Sequence, residues 1–186
     1  EEAHGKTNKM IALLIAALAL LLAFAEAGNG NNENASIDLN IEASNLWSFY
    51  QAKSIRQTTV KTAMEQLELD LALSRDEAVR QALGKRIDNW KGEIARYQSE
   101  PKAEGGEGRK ELLERAKVAE EKRAKYTEKY HHFEVSSALF QIAIVLASVY
   151  LLTHVFHLLA AAAFLTAAGF FFALVGLFAP HAVHLL

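Results

Sequence analysis

The segment YHHFEVSSALFQIAIVLAS, residues 130–148, decides the fold. It begins with aromatic, histidine and carboxylate side chains, then runs into an apolar stretch without a charge or a helix-breaking Pro or Gly. A charged, water-soluble helix therefore continues directly into a stretch apolar enough for lipid. Upstream, the helical pattern starts near Arg109 and meets no stop signal before Thr153. That is one helix of about 45 residues, roughly 65–70 Å long at 1.5 Å per residue.

The whole-chain totals hide this organisation. A hydrophobic share of 51%, a charged share of 23% and a formal charge of −2 resemble an ordinary globular domain. Lys and Arg, however, concentrate between Gln51 and Lys129, and residues 10–25, 135–153 and 158–179 contain none. Runs of about 18 residues or more are long enough to cross a hydrocarbon core. The first run, preceded by Lys6 and Lys9, also has the pattern of a cleavable signal peptide, with the triplets Ala23-Phe24-Ala25 and Ala25-Glu26-Ala27. It is read here as a retained membrane anchor. The absence of cysteine removes disulfides, thiolate metal sites and cysteine nucleophiles. Near-neutral charge without a basic, aromatic-interleaved patch argues against nucleic acid as a partner.

The predicted architecture is an all-α integral membrane protein. Three transmembrane helices carry a long, coiled-coil-like helical stalk inserted between the first and second. The expected boundaries are a tail over 1–9, spans over 10–27, 135–153 and 157–179, a stalk over 28–134, and a C-terminal tail over 180–186. The Gly/Asn-rich stretch 28–36 reads as a turn or loop. Stalk helices follow over about 41–73, 75–99 and 109–134. Ser74 as N-cap and Glu77 at N3 form a capping box for the second, and residues 100–108, EPKAEGGEG, form a linker. Narrow apolar stripes support pairing of long helices rather than a large core: Val60, Ala63, Leu67 and Leu71; Val79, Leu83, Trp90, Ile94 and Tyr97; Ala116, Ala119, Tyr126, Tyr130 and Phe133.

Each span also carries small or polar residues at helical spacing. The first has Ala12, Ala16, Ala19, Ala23 and Glu26, and the second has Glu134, Ser137, Gln141 and Ser148. In the third they are Ala162, Thr166, Gly169, Ala173, Gly176 and Pro180. Helices in lipid associate by close packing and a few hydrogen bonds, because lipid offers no hydrophobic drive. Glu26, Glu134, Ser137, Gln141 and Ser148 thus make a candidate intramembrane polar seam, and Gly169, Ala173 and Gly176 a candidate packing face.

Three crossings bring Glu26, His131, His132, Glu134, His181 and His184 to one membrane face. His131, His132, His181, His184 and Glu134 are the weak metal candidates, since imidazole and carboxylate together suit zinc. No cofactor is expected. Repeated round an axis, Glu26 or Glu134 would form the carboxylate ring of a cation pore. The same residues are also ordinary interfacial residues at helix ends. His154 and His157 fall at the opposite face.

The segments IEASNLWSFYQAKSIRQTT (41–59), SEPKAEGGEGRKELLERAK (99–117), YHHFEVSSALFQIAIVLAS (130–148) and LFAPHAVH (177–184) resemble a bacterial membrane-protein family known only as domain of unknown function 4337. The resemblance implies a small bacterial inner-membrane protein with three spans. It supplies no activity and no catalytic residue, so Trp47, Gln51 and Lys53 carry no assigned role. Trp47, Phe49 and Tyr50 read as an interfacial belt or a packing seam.

The expected function is a non-enzymatic, homo-oligomeric membrane scaffold or accessory subunit, with the bilayer, a second copy and a further membrane protein as partners. A homo-oligomeric pore lined by the second span is the alternative, and a His/Glu metal-binding membrane protein the third. No H-E-x-x-H, phosphate loop or nucleophile–base pair supports an enzyme. Lys6 and Lys9 favour a cytoplasmic N-terminus, towards which the reading leans. Lys117, Lys122, Arg123, Lys125 and Lys129 favour a cytoplasmic stalk.

Overall fold

A computed structural model of the chain describes residues 2–101 and 106–182; linker positions 102–105 and His184 lie outside the described residues. Four α-helices account for nearly all of it, and no strand occurs among the described residues. They are α1 (Glu2–Leu73), α2 (Glu77–Gln98), α3 (Arg109–Thr153) and α4 (Phe156–Phe178), followed by a single 3₁₀ turn, Pro180–Ala182. Three of them, α1, α3 and α4, contain windows long and apolar enough to cross a membrane. The chain divides into two units. One comprises Glu1–Asp38 with Lys122–Leu186, the other Leu39–Glu121.

The long helix expected from the opening segment is present with the expected bounds, Arg109–Thr153. The turn expected over 28–36 is not: α1 runs unbroken through it. Gly and Asn lower helix propensity by up to about 1 kcal/mol each, but one local and one interhelical contact support the helix here. Asn32 donates its side-chain amide to Gly28 O one turn back (2.6 Å), and Ser36 Oγ meets Thr127 Oγ1 on α3 (2.8 Å). Gly28 serves a close approach instead of a turn, because a methyl group there would lie 2.9 Å from Phe133 Cδ1.

The cap of α2 is also shifted. Asp76, not Ser74, is the N-cap; its carboxylate accepts from the amides of Ala78 and Val79. Ser74 instead closes α1, its amide bonded to Asp70 O. Arg80 Nη1 donates to the otherwise open carbonyls of Leu71 (3.0 Å) and Ser74 (3.2 Å). The expected α2 stripe is half-buried at Leu83, Trp90, Ile94 and Tyr97, with Ile87 buried between them, and only Val79 is exposed. Between α3 and α4, His154 takes φ 55, and its amide bonds to Tyr150 O in the left-handed helix-ending position that usually holds glycine.

In the first unit α1 and α4 both pack on α3. Leu18, Ala25, Phe140, Ala143, Ala147 and Ala162 form its core. In the second unit the core is Ala43, Leu46, Leu112, Ala116 and Ala119, with Trp47 and Tyr50 against it. Here Trp47 Nε1 donates to Glu120 Oε1 (2.8 Å), so the aromatic pair is a packing seam, whereas Phe49 is exposed.

Candidate functional site

The first unit is held by one face of α3 bearing His132, Ser136, Phe140, Ala143 and Ala147 at spacings of three and four, all buried. Phe140 fills the space that a side chain at Gly169 would need: a methyl group there would lie 2.9 Å from Phe140 Cε1. A methyl group at Gly176 would lie 2.9 Å from His132 Cβ, and Phe133 reaches towards both Gly28 on α1 and Gly176 on α4. Two of the three residues of the expected packing face therefore bring the α4 backbone onto α3. Ser136 Oγ donates to Gly169 O (2.8 Å) across this contact.

His132 is 1% exposed, with its ring stacked on Phe172 at a centroid separation of 6.2 Å. Its Nε2 lies 2.9 Å from Pro180 O. A carbonyl only accepts, so Nε2 carries the proton; Nδ1 is buried without a hydrogen-bond partner. The neighbouring His181 is paired through Nδ1 with Glu128 of α3, so the 3₁₀ turn after α4 is tied to α3 by two histidine contacts. His131 turns instead to Glu134 one turn along its own helix (3.4 Å). Among the described residues no three His, Asp or Glu side chains gather as a metal site.

The five residues of the expected polar seam are not joined in one hydrogen-bonded chain. Ser137 and Ser148 return their hydroxyls to their own helix, at Glu134 O and Ile144 O. Glu134 stays with His131. One bond of the set runs between helices: Gln141 Nε2 donates to Glu26 Oε1 (3.2 Å), with both side chains exposed.

The second unit has its own polar node where α2 ends and α3 begins. Gln57 Nε2 donates to Ile94 O (3.1 Å) and Gln98 Oε1 (3.2 Å), while Gln57 Oε1 accepts from Arg109 Nη1. Arg109 also donates to Tyr50 Oη (3.1 Å) and stands over its ring. Glu111 accepts from Ser99 Oγ and from the amide of Glu100 (3.2 Å), and the Ser99 hydrogen bond above all lowers its carboxyl pKa. Lys53, facing Glu100 and Glu107 at 3.9 and 3.8 Å, completes the node. Gly106 adopts φ 71, and a methyl group at Gly108 would lie 2.5 Å from Glu100 N, so this crossing requires glycine at both positions.

Sequence reasoning singled out Lys53 but missed Gln57, Arg109 and Glu111, whose partners lie 11–59 residues away. It also missed Ser136, although the spacing His132–Ser136–Phe140–Ala143–Ala147 is visible in the chain. No curated relative and no solved structure matches the chain. The model of one family, described as domain of unknown function DUF4337, matches residues 7–179. With nearly its whole length matched, the chain belongs to the DUF4337 family.

Proposed function

We propose that this chain is a non-enzymatic, multi-pass protein of the bacterial inner membrane that acts as a scaffold or accessory subunit. Residues 10–27, 135–153 and 157–179 cross the bilayer, and the polar unit, Leu39–Glu121, engages a partner in water. The observation that carries the reading is the packing of α3 side chains into Gly28, Gly169 and Gly176. Helices in lipid gain nothing from hydrophobic burial and associate through such close approach. The burial of Ser137, and the return of Ser137 and Ser148 to their own helix carbonyls, support packing over an axial channel. The polar unit leaves Phe49, Ile55, Leu69 and Leu73 exposed, which is apolar area available to a partner.

Reconstitution into liposomes loaded with an ion-sensitive dye tests the reading. The scaffold predicts protein that resists extraction by alkaline carbonate and an ion flux equal to that of empty liposomes. Flux that disappears in a Gln141→Leu variant would replace the scaffold by the pore, and carbonate release would remove both.

A further inference from the structure

The hydrogen bond between Glu26 and Gln141 is in an unusual place. Gln141 lies six residues into the charge-free run that starts at Val135, roughly 9 Å at 1.5 Å per residue. The adjacent Phe140 packs on Gly169, which is nine residues, about 13 Å, from the end of α4. Gln141 is therefore inside the apolar band, with Glu26 reaching it from the edge of the span over 10–27, yet both are exposed on this chain beside Phe24 (77% exposed) and Ile142 (50% exposed). An amide facing lipid tails is disfavoured, and polar groups at such depth face protein. Among the described residues, no part of the first unit covers them.

We propose that the α1–α3 face centred on Glu26 and Gln141 is where a second copy of this chain docks, the two copies related by a two-fold axis along the bundle. This rests on the reading that these helices lie in the bilayer. The occupant follows from the hydrogen-bonding groups. The internal bond uses one N–H of Gln141 and one oxygen of Glu26, leaving a donor and an acceptor side by side. A two-fold copy sets donor against acceptor twice at the same depth, and an isologous contact requires that self-complementarity. The exposed Ala12, Ala16, Ala19 and Ala23 continue the face along α1 without bulk, so the backbones can approach closely.

The chain has no cysteine, so an introduced one is unique. In liposomes at high lipid excess, oxidation of the full-length Ala23→Cys variant should give a disulfide-linked dimer. Phe164→Cys, on an exposed position of α4, should give none. Adding Gln141→Leu to Ala23→Cys should reduce the dimer about ten-fold, the size of two intramembrane hydrogen bonds, whereas Glu26→Gln should retain it. Dimer from Phe164→Cys but not from Ala23→Cys, or dimer indifferent to Gln141→Leu, overturns this interface and leaves the scaffold reading standing. Release of the unmodified chain by carbonate would instead remove the reading beneath it.

Discussion

The Gly176→Leu variant is expected to lose about 3 kcal/mol of stability, the upper part of the range for overpacking a close contact. Position 176 has no room even for a methyl group, and the obstructing atom is His132 Cβ, which is fixed to the α3 backbone and cannot rotate away. The α4 helix would have to lift, breaking the bond between Ser136 and Gly169 O and the bond between His132 and Pro180 O. The control has the opposite sign. Gly84 is also in a helix interior, but a methyl group there meets nothing within 4 Å. Gly84→Ala should therefore stabilise by up to about 1 kcal/mol through helix propensity alone. Thermal unfolding of the full chain in detergent checks both. Equal effects at the two positions would show that glycine here is not a packing device.

The second large effect is expected at Arg109. A cation in the first turn of a helix opposes the helix dipole, so its value must come from contacts outside α3. Those contacts are Gln57, the Tyr50 hydroxyl and the Tyr50 ring. The Arg109→Ala variant removes them and frees Gln57 Oε1, at an expected cost of about 2 kcal/mol for hydrogen bonds from a charged donor. Hydrogen exchange in the full chain should then accelerate about 30-fold over residues 94–101 and 106–121, since 1.4 kcal/mol is a factor of ten. Arg109→Lys should recover only part of the loss, because an ammonium group lacks the planar fork that reaches both partners. Unchanged exchange would mean that the apolar core around Leu112 and Ala116 holds the start of α3 without the node.

The long elements were legible because their signals are local and strong. The unbroken run into residues 130–148 requires one helix through α3, and the glycines of α4 recur on one helical face. Residues 28–36 misread as a turn because local propensity registers Gly and Asn but not the Phe133 ring that comes to rest on Gly28. Ser74 and Asp76 both carry capping chemistry; Asp76 caps α2, while Ser74 continues the end of α1, where Arg80 takes its carbonyl. Ser136 and Ser137 are adjacent on a helix, about 100° apart. Spacing singled out the side of Ser137, with Glu134, Gln141 and Ser148, but only the position of α4 decides that Ser136 meets a neighbour. The node around Gln57 joins three helices through contacts spanning tens of residues, beyond the reach of any periodicity.

Sided labelling of single cysteines in the full chain, reconstituted in one orientation, tests the central claim most directly. A membrane-impermeant maleimide added to intact vesicles should reach Lys61→Cys and His154→Cys from opposite sides, while Val145→Cys, although exposed on the protomer, is protected from both. Labelling of all three from one side would contradict the account, because a helix that presents residues 145 and 154 to the same water as residue 61 does not cross a bilayer.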